Sequence, residues 1–361
     1  MKNMNFVDEW NVIGLMSGTS LDGVDIIYTQ ISKNCENYSF QIIASETIPY
    51  EKKWEVSLRN LFFSSKDEIE ILNIEYGIYL GDLVNKFRDK YKINHIDFVS
   101  SHGHTIFHKP NEGCTLQIGD GQSICKKTNL KVVCDFRTQD VAFGGQGAPL
   151  VPIGDKLLFS NFKYCLNLGG FANISYEENI ERIAFDICPV NIVLNYYSKK
   201  MGFDYDNEGK IASKGRINEL LLNKLNAISF YGNKKPKSLG FEFVKEIIFP
   251  LIDSYKLSVE DVLRTFIAHI VFQIARILDG KGESELLITG GGVFNTFLIN
   301  ELKNATRNKI IIPDSNTINY KEALIFALLG VLRVENQVNC LRSVTGATKD
   351  HCSGKIFQIK E

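Results

Sequence analysis

Asp186 closes an apolar run, Ile183-Ala184-Phe185, and a carboxylate there is costly to bury without a partner. Its placement opposite Asp22 in the two-part pattern of strands favours a role in a cleft; the plainer reading is a turn former or helix cap. The turn Ser17-Gly18-Thr19-Ser20-Leu21-Asp22-Gly23, continued by Val24 and Asp25, combines glycines, hydroxyls and carboxylates. Its backbone N–H groups and hydroxyls could cradle a triphosphate. Asp22 and Asp25 could hold magnesium, directly or through water. The turn is no Walker loop, because it lacks the Lys-Ser/Thr ending and joins two strands. Taken alone it reads as an ordinary hairpin. Gly290-Gly291-Gly292 sits between a strand and a helix, where glycines can bring a helix N-terminus up to a phosphate or adenosine. Alone it is a flexible helix entry; with the first turn it suggests two loops, one in each half, facing one cleft.

Two further constellations are weaker. His102 and His104 in Ser101-His102-Gly103-His104 would share one strand face and could form a metal pair, but no third ligand stands at a sensible spacing. Substrate hydrogen bonding or a structural role fits better than zinc. Arg137, in Asp135-Phe136-Arg137-Thr138-Gln139-Asp140, could clamp a carboxylate bidentately; the alternative is an Arg–Asp pair that stabilises a loop.

The elements that must position these groups read as two similar halves. β-Branched and apolar runs at 12–16, 23–31 and 40–48 predict a strand meander. Tyr76, Leu80, Leu83 and Phe87 make one helical face. Strands follow at 97–100, 115–118 and 131–136. A glycine-rich loop at 143–149 marks the best boundary. The pattern then restarts, with strands at 164–168, 171–176 and 182–185, the last ending at Asp186, and Asn191 expected to cap the next helix. Ser258-Val259-Glu260-Asp261 looks like a capping box. It heads a helix lined by Leu263, Ile267, Ile270, Ile274 and Ile277 and stopped at Gly280. A strand at 286–289, a helix at 293–302, a strand at 309–312 and a helix at 321–334 complete the chain. The expected domains are 1–145, with 335–361 as a candidate addition, and 146–334.

Composition sets the outer bounds. The 361 residues are 44% hydrophobic, with a formal net charge of -1, which gives no global attraction to nucleic acid or an anionic membrane. No stretch reaches the roughly 20 apolar residues of a membrane span. The eight cysteines form no CxxC pair and read as buried reduced thiols, so a cytoplasmic protein is expected.

Taken together, these segments resemble the anhydro-N-acetylmuramic acid kinase family. The resemblance runs in order through residues 14–25, 101–105, 116–121, 135–137, 144–152 and 167–174. It continues through Phe185-Asp186, Gly290-Gly291-Gly292 with Asn295, Glu322-Ala323 and 343–347. It implies the two-lobed α/β fold of the actin-like ATPases (ribonuclease H-like), with duplicated βββαβαβα domains and ATP between the lobes. It also implies conversion of 1,6-anhydro-N-acetylmuramic acid, with ATP and water, to N-acetylmuramic acid 6-phosphate and ADP in peptidoglycan recycling. By the same resemblance Asp186 is the catalytic base. Nucleotide contacts fall to 18–25, Gly169, Gly170, Gly290, Gly291, Gly292 and Asn295, and magnesium to Asp22. Sugar contacts fall to Ser17, His102, Arg137 and Glu322. The partners expected are ATP, the sugar and a second copy in a homodimer.

The chain also departs from the family pattern. Ile187-Cys188-Pro189 replaces the common Thr-Gly-Pro, and Phe241 stands where an arginine is usual. Asn319 replaces an aspartate, and the histidine after Val151-Pro152 is missing. These changes keep open a kinase of the same fold acting on another sugar or a small acid. A nucleotide-binding sensor without catalysis and a zinc hydrolase built on His102 and His104 are further alternatives.

Overall fold

A computed structural model describes residues 7–18, 21–233, 237–279 and 282–359. Thr19, Ser20 and Gly280, each given a role above, lie outside the described residues. The strands are β1 (Asp8–Ser17), β2 (Val24–Asn34), β3 (Asn37–Ile48), β4 (Phe98–Lys109), β5 (Cys114–Ile118), β6 (Val132–Cys134), β7 (Tyr164–Leu168), β8 (Phe171–Glu178), β9 (Glu181–Pro189), β10 (Glu285–Thr289), β11 (Lys309–Ile311) and β12 (Lys355–Phe357). The chain divides into two compact units. One comprises Met1–Leu158 with Tyr320–Glu361, the other Phe159–Asn319. The division at 158/159 differs from the glycine-rich loop expected from composition, and the helix from 320 onward belongs to the first unit.

In the first unit the sheet order is β12-β6-β4-β1-β2-β3, with β5 paired to β4. β1, β2 and β3 form an antiparallel meander, while β4 and β6 run parallel to β1. Successive side chains leave opposite faces of a strand, and β1 obeys this. Ile13 and Leu15 join a cluster with Tyr76, Leu80, Leu83 and Phe87 from the helix Lys66–Tyr91. Val12 joins another with Phe326, Leu329 and Leu332 from the helix Ser315–Val334. A helix thus covers each face, and Tyr320 (φ -115°, ψ 15°) interrupts the second helix.

The second unit has the order β11-β10-β7-β8-β9, again with three antiparallel strands first and two parallel ones added beside the first. With the strands of each main path renumbered in chain order, five strands read 3-2-1-4-5 in both units, β12 being added beyond them in the first; this is the duplicated α/β arrangement of the actin-like ATPases. Its core draws Leu263, Ile267, Ile270 and Ile274 from the helix Val259–Leu278, the face predicted by spacing.

Several local expectations are corrected. β9 does not end at Asp186 but continues to Pro189 through a bulge, because Asn173 pairs with Asp186 while Ala172 pairs with Cys188. Asn191 does not cap a helix: it lies inside the first turn, and its amide donates to the Leu168 carbonyl at 3.2 Å. Ser258 accepts from Asp261 N–H at 3.2 Å, one half of a capping box only, since the shorter Asp261 makes no return bond. The helix expected from 293 starts at Thr296, after a 3₁₀ turn at Gly291–Phe294. Cys35 and Cys114 are exposed rather than buried. Among the described residues no helix is long and apolar enough to cross a membrane.

Candidate active site

In open α/β sheets ligands bind beyond the carboxyl ends of parallel strands, where the chain order reverses. In the first unit that place lies between β1 and β4, where Ser17 is in register with His104. The buried Ser17 hydroxyl bonds His104 Nδ1 at 2.7 Å and Tyr50 OH at 2.5 Å, and Tyr50 OH bonds Tyr76 OH at 2.6 Å. Burial pushes His104 down to about 4, so its ring is neutral, and holds the Tyr76 phenol well above its ordinary range. The Ser17 oxygen is thereby fixed by neutral partners. Tyr50 and Tyr76 carried no signal in the sequence, because their contacts with Ser17 and each other close only once the meander folds.

The turn beyond Ser17 places Asp22 in solvent and Gly23 in the interior, and Leu21 has a left-handed φ of 59°. Val24 is fully buried in the core, so only its backbone can face a nucleotide. Asp25 Oδ1 accepts from the Thr47 hydroxyl at 2.6 Å. Burial raises the Asp25 carboxyl, Thr47 lowers it, and the negative charge of Asp22 raises it again. Two adjacent carboxylates, one open to solvent, are hard oxygen donors of the kind magnesium takes.

His102 and His104 are parted by Gly103, whose φ of 74° turns the strand between them, and the two rings have different partners. His102 Nε2 accepts from Arg137 Nε at 3.0 Å, and its Nδ1 donates to the Gly103 carbonyl at 2.9 Å. Burial, then the Arg137 charge, keeps His102 well below its ordinary range. Arg137 Nη1 donates to Gly147 O at 2.6 Å. Among the described residues no carboxylate lies within ion-pair distance of Arg137, and no hydrogen bond engages Nη2. The loop-stabilising Arg–Asp pair is not formed: Asp135 bonds Lys355 at 2.8 Å instead. Glu322 reaches solvent, yet crowding by protein atoms raises its carboxyl, while Arg137 draws it down. Ser17, Asp22, Asp25, His102, Arg137 and Glu322 thus belong to one unit, and charge coupling runs from Asp22 through Asp25 to Glu322 and Arg137.

In the second unit the equivalent strand ends are those of β7 and β10, where Thr289 is in register with Asn167. Gly290 has φ 84°, and a Cβ there would stand 2.5 Å from Asn167 Oδ1. A Cβ on Gly292 would meet Leu168 Cβ at 2.6 Å, whereas one on Gly291 would make only an ordinary contact with Asn191 Nδ2 at 3.9 Å, and Gly291 is exposed. The two outer glycines therefore let the turn approach β7, and Gly291 presents backbone outward. Asn295 caps the following helix, its Oδ1 accepting from Leu298 N–H at 3.0 Å. The carbonyls of Gly169 and Gly170 accept from Asn191 N–H at 3.2 Å and Val190 N–H at 2.8 Å.

Asp186 stands on β9, separated from β10 by β7 and β8, a span of about 14 Å at ordinary strand spacing. Its Oδ2 accepts from Leu239 N–H at 2.8 Å, and its own N–H donates to Lys237 O at 2.9 Å. Oδ1 has no hydrogen-bond partner among the described residues. Burial raises its carboxyl, and the Leu239 bond lowers it. A half-buried carboxylate with one oxygen anchored and one unengaged can take a proton from a bound water.

The sequence matches known proteins along nearly its whole length. The family model for anhydro-N-acetylmuramic acid kinase matches residues 10–359. An anhydro-N-acetylmuramic acid kinase of Clostridioides difficile (strain 630) is 33% identical, covering 95% of this chain and 97% of that protein. One from Haemophilus influenzae is 32% identical, covering 96% and 97%. Among solved structures, the activator of 2-hydroxyisocaproyl-CoA dehydratase from Clostridium difficile with bound ADPNP is 14% identical, covers 88% of this chain and 93% of that chain, and has a TM-score of 0.43. A ROK family glucokinase from Streptomyces griseus is 10% identical, covers 88% and 98%, and has a TM-score of 0.39. With the family model matching from residue 10 to residue 359, the chain belongs to the anhydro-N-acetylmuramic acid kinase family.

Proposed function

We propose that this protein converts 1,6-anhydro-N-acetylmuramic acid, ATP and water to N-acetylmuramic acid 6-phosphate and ADP, in the recycling of peptidoglycan. The observation that carries the proposal is Asp186, with Oδ2 held by Leu239 N–H and Oδ1 unengaged among the described residues. Asp186 takes a proton from water as the water oxygen bonds to C1. The C1–O6 bond breaks on the opposite face, O6 bonds to the γ-phosphorus, and the bond from that phosphorus to the bridging oxygen breaks to release ADP. One carboxylate serves for the sugar half, as in an inverting glycosidase.

The phosphoryl half is a matter of alignment and charge. Gly18 and residues 21–25 would face the phosphates, with Asp22 and Asp25 as holders of magnesium, which neutralises phosphate charge when bound. Gly291 would approach the nucleoside through its backbone. Arg137, held by His102 and Gly147, presents its remaining donors to the lactyl carboxylate of the sugar, and Glu322 and Ser17 accept or donate to its hydroxyls.

A second reading, the same chemistry on another sugar, is favoured by Ile187 and Cys188, both buried, beside the base. A substrate panel with coupled detection of ADP separates the two. The anhydro-sugar should give one ADP per 6-phosphate formed. Rapid ADP release with a different sugar and none with the anhydro-sugar would overturn the first reading in favour of the second.

A further inference from the structure

Three side chains that the kinase chemistry does not use converge in the first unit. Asp140 lies on the short helix Thr138–Ala142. Cys340 and His351 form an isolated antiparallel bridge, exchanging Cys340 N–H to His351 O at 3.1 Å and His351 N–H to Cys340 O at 3.2 Å. Directly opposed residues of an antiparallel pair send their side chains to the same face. An Asp140 carboxylate oxygen, Cys340 Sγ and a His351 ring nitrogen consequently lie within 4.8 Å of one another, and all three residues are buried. Among the described residues no other group of three His, Cys, Asp or Glu side chains comes together in this way.

The orientation of the imidazole points to an occupant. His351 Nδ1 is 3.1 Å from the Lys349 carbonyl. A carbonyl only accepts, so Nδ1 carries a proton, and Nε2 is the ring atom that points inward. Nε2 is buried with no hydrogen-bond partner, 3.5 Å from Asp140 Oδ1. As a lone pair Nε2 would repel that oxygen, and either a proton or a metal cation between them reverses the sign; the Cys340 Sγ within 4.8 Å of both groups is a third ligand that only the metal uses. The carbonyl on the far nitrogen is also the outer-shell contact that metal-bound histidines make. The carboxylate is oriented likewise: Asp140 Oδ2 accepts from Gly147 N–H and Oδ1 from the Thr345 hydroxyl, both at 2.7 Å.

We propose that Asp140, Cys340 and His351 form a buried Zn²⁺ site, with a water in the fourth position. One sulfur, one imidazole nitrogen and one carboxylate oxygen are a ligand set suited to zinc. On binding, the Cys340 S–H proton leaves to solvent as the Zn–S bond forms. The site would also fix Arg137, because Gly147 donates its N–H to Asp140 and accepts at its carbonyl from Arg137 Nη1. Zinc would therefore set the position of a sugar-binding group without touching substrate.

The test uses the full-length, tag-free protein purified without chelator. Elemental analysis should find about one zinc per chain. Replacement by Co²⁺ should produce a thiolate-to-cobalt charge-transfer band. That band should survive the double substitution Cys35→Ser/Cys114→Ser, which removes the exposed thiols, and disappear in Cys340→Ser. His351→Gln should weaken cobalt affinity by roughly tenfold or more. Absence of stoichiometric zinc together with no thiolate band on cobalt titration would overturn the proposal. So would a band that persists in Cys340→Ser or vanishes in the double variant. If Cys340→Ser does not fold, the wild-type and double-variant spectra still decide.

Discussion

The hairpin β1–β2 of the first unit and the hairpin β7–β8 of the second occupy equivalent places in their sheets, at the reversal of strand order. Their turns differ in what they leave available. The first carries Asp22 and Asp25 and is backed by the Ser17, Tyr50, Tyr76 and His104 hydrogen-bond chain. The second is two glycines whose carbonyls are already taken by Val190 and Asn191 N–H. In the second unit the ionisable group is instead Asp186, displaced to β9. The duplicated fold supplies two strand-end platforms, and under the proposed function the side chains would divide the labour: charge management for phosphate on one, proton transfer on the other.

The largest expected effect breaks that division on the proton-transfer side. Asp186→Asn should lower turnover by roughly 10²–10⁴-fold, the range for loss of a general base, while leaving ATP affinity measured by calorimetry unchanged. Next in size is acid sensitivity, which both units share. His104 of the first unit and His269 of the second are buried and neutral, pushed down to about 4 and about 3, against about 6.5 in an unfolded chain. The unfolded state therefore binds more protons below that pH. Stability is complete above about pH 6.5 and falls as pH drops toward the folded values, by about 1.4 kcal/mol per pH unit for each histidine. Chemical denaturation across that window should show the slope. His104→Asn should reduce it by one histidine's share, and an unchanged slope would remove the part assigned to His104.

Smaller is the effect of Arg137→Lys. A lysine carries its three donors on one nitrogen, so after bonding His102 and Gly147 it could offer at most one where Arg137 offers a fork. The KM for the sugar should rise about tenfold, with kcat nearly unchanged, in steady-state assays. The smallest effect separates two adjacent glycines of the second unit. Gly290→Ala forces a side chain into a left-handed backbone, at about 1–2 kcal/mol before its clash with Asn167. Gly291→Ala should cost under about 0.5 kcal/mol in thermal unfolding and act instead on the KM for ATP.

Much of this was legible from residue order. Periodicity found the helix face Tyr76, Leu80, Leu83, Phe87, because a long amphipathic helix repeats its signal over several turns. The strand meanders were found from β-branched runs. What escaped were contacts made at long sequence separation. Tyr50 meets Ser17 across 33 residues and Cys340 meets Asp140 across 200, and neither leaves a local pattern. The continuation of β9 past Asp186 escaped because a bulge at Ile187 re-aims one residue without changing composition. His102 and His104 looked like a pair by spacing, but the positive φ of Gly103 gives them separate partners.

The most direct test of the role assigned to Asp186 is the configuration of the product at C1, followed by proton NMR of the anomeric signals from the first moments of turnover. Attack of water opposite the departing O6 should deliver a single anomer of N-acetylmuramic acid 6-phosphate, inverted at C1, which relaxes to the equilibrium mixture afterwards. Appearance of the retained anomer first, or of the equilibrium mixture from the earliest spectrum of a fast reaction, would contradict it.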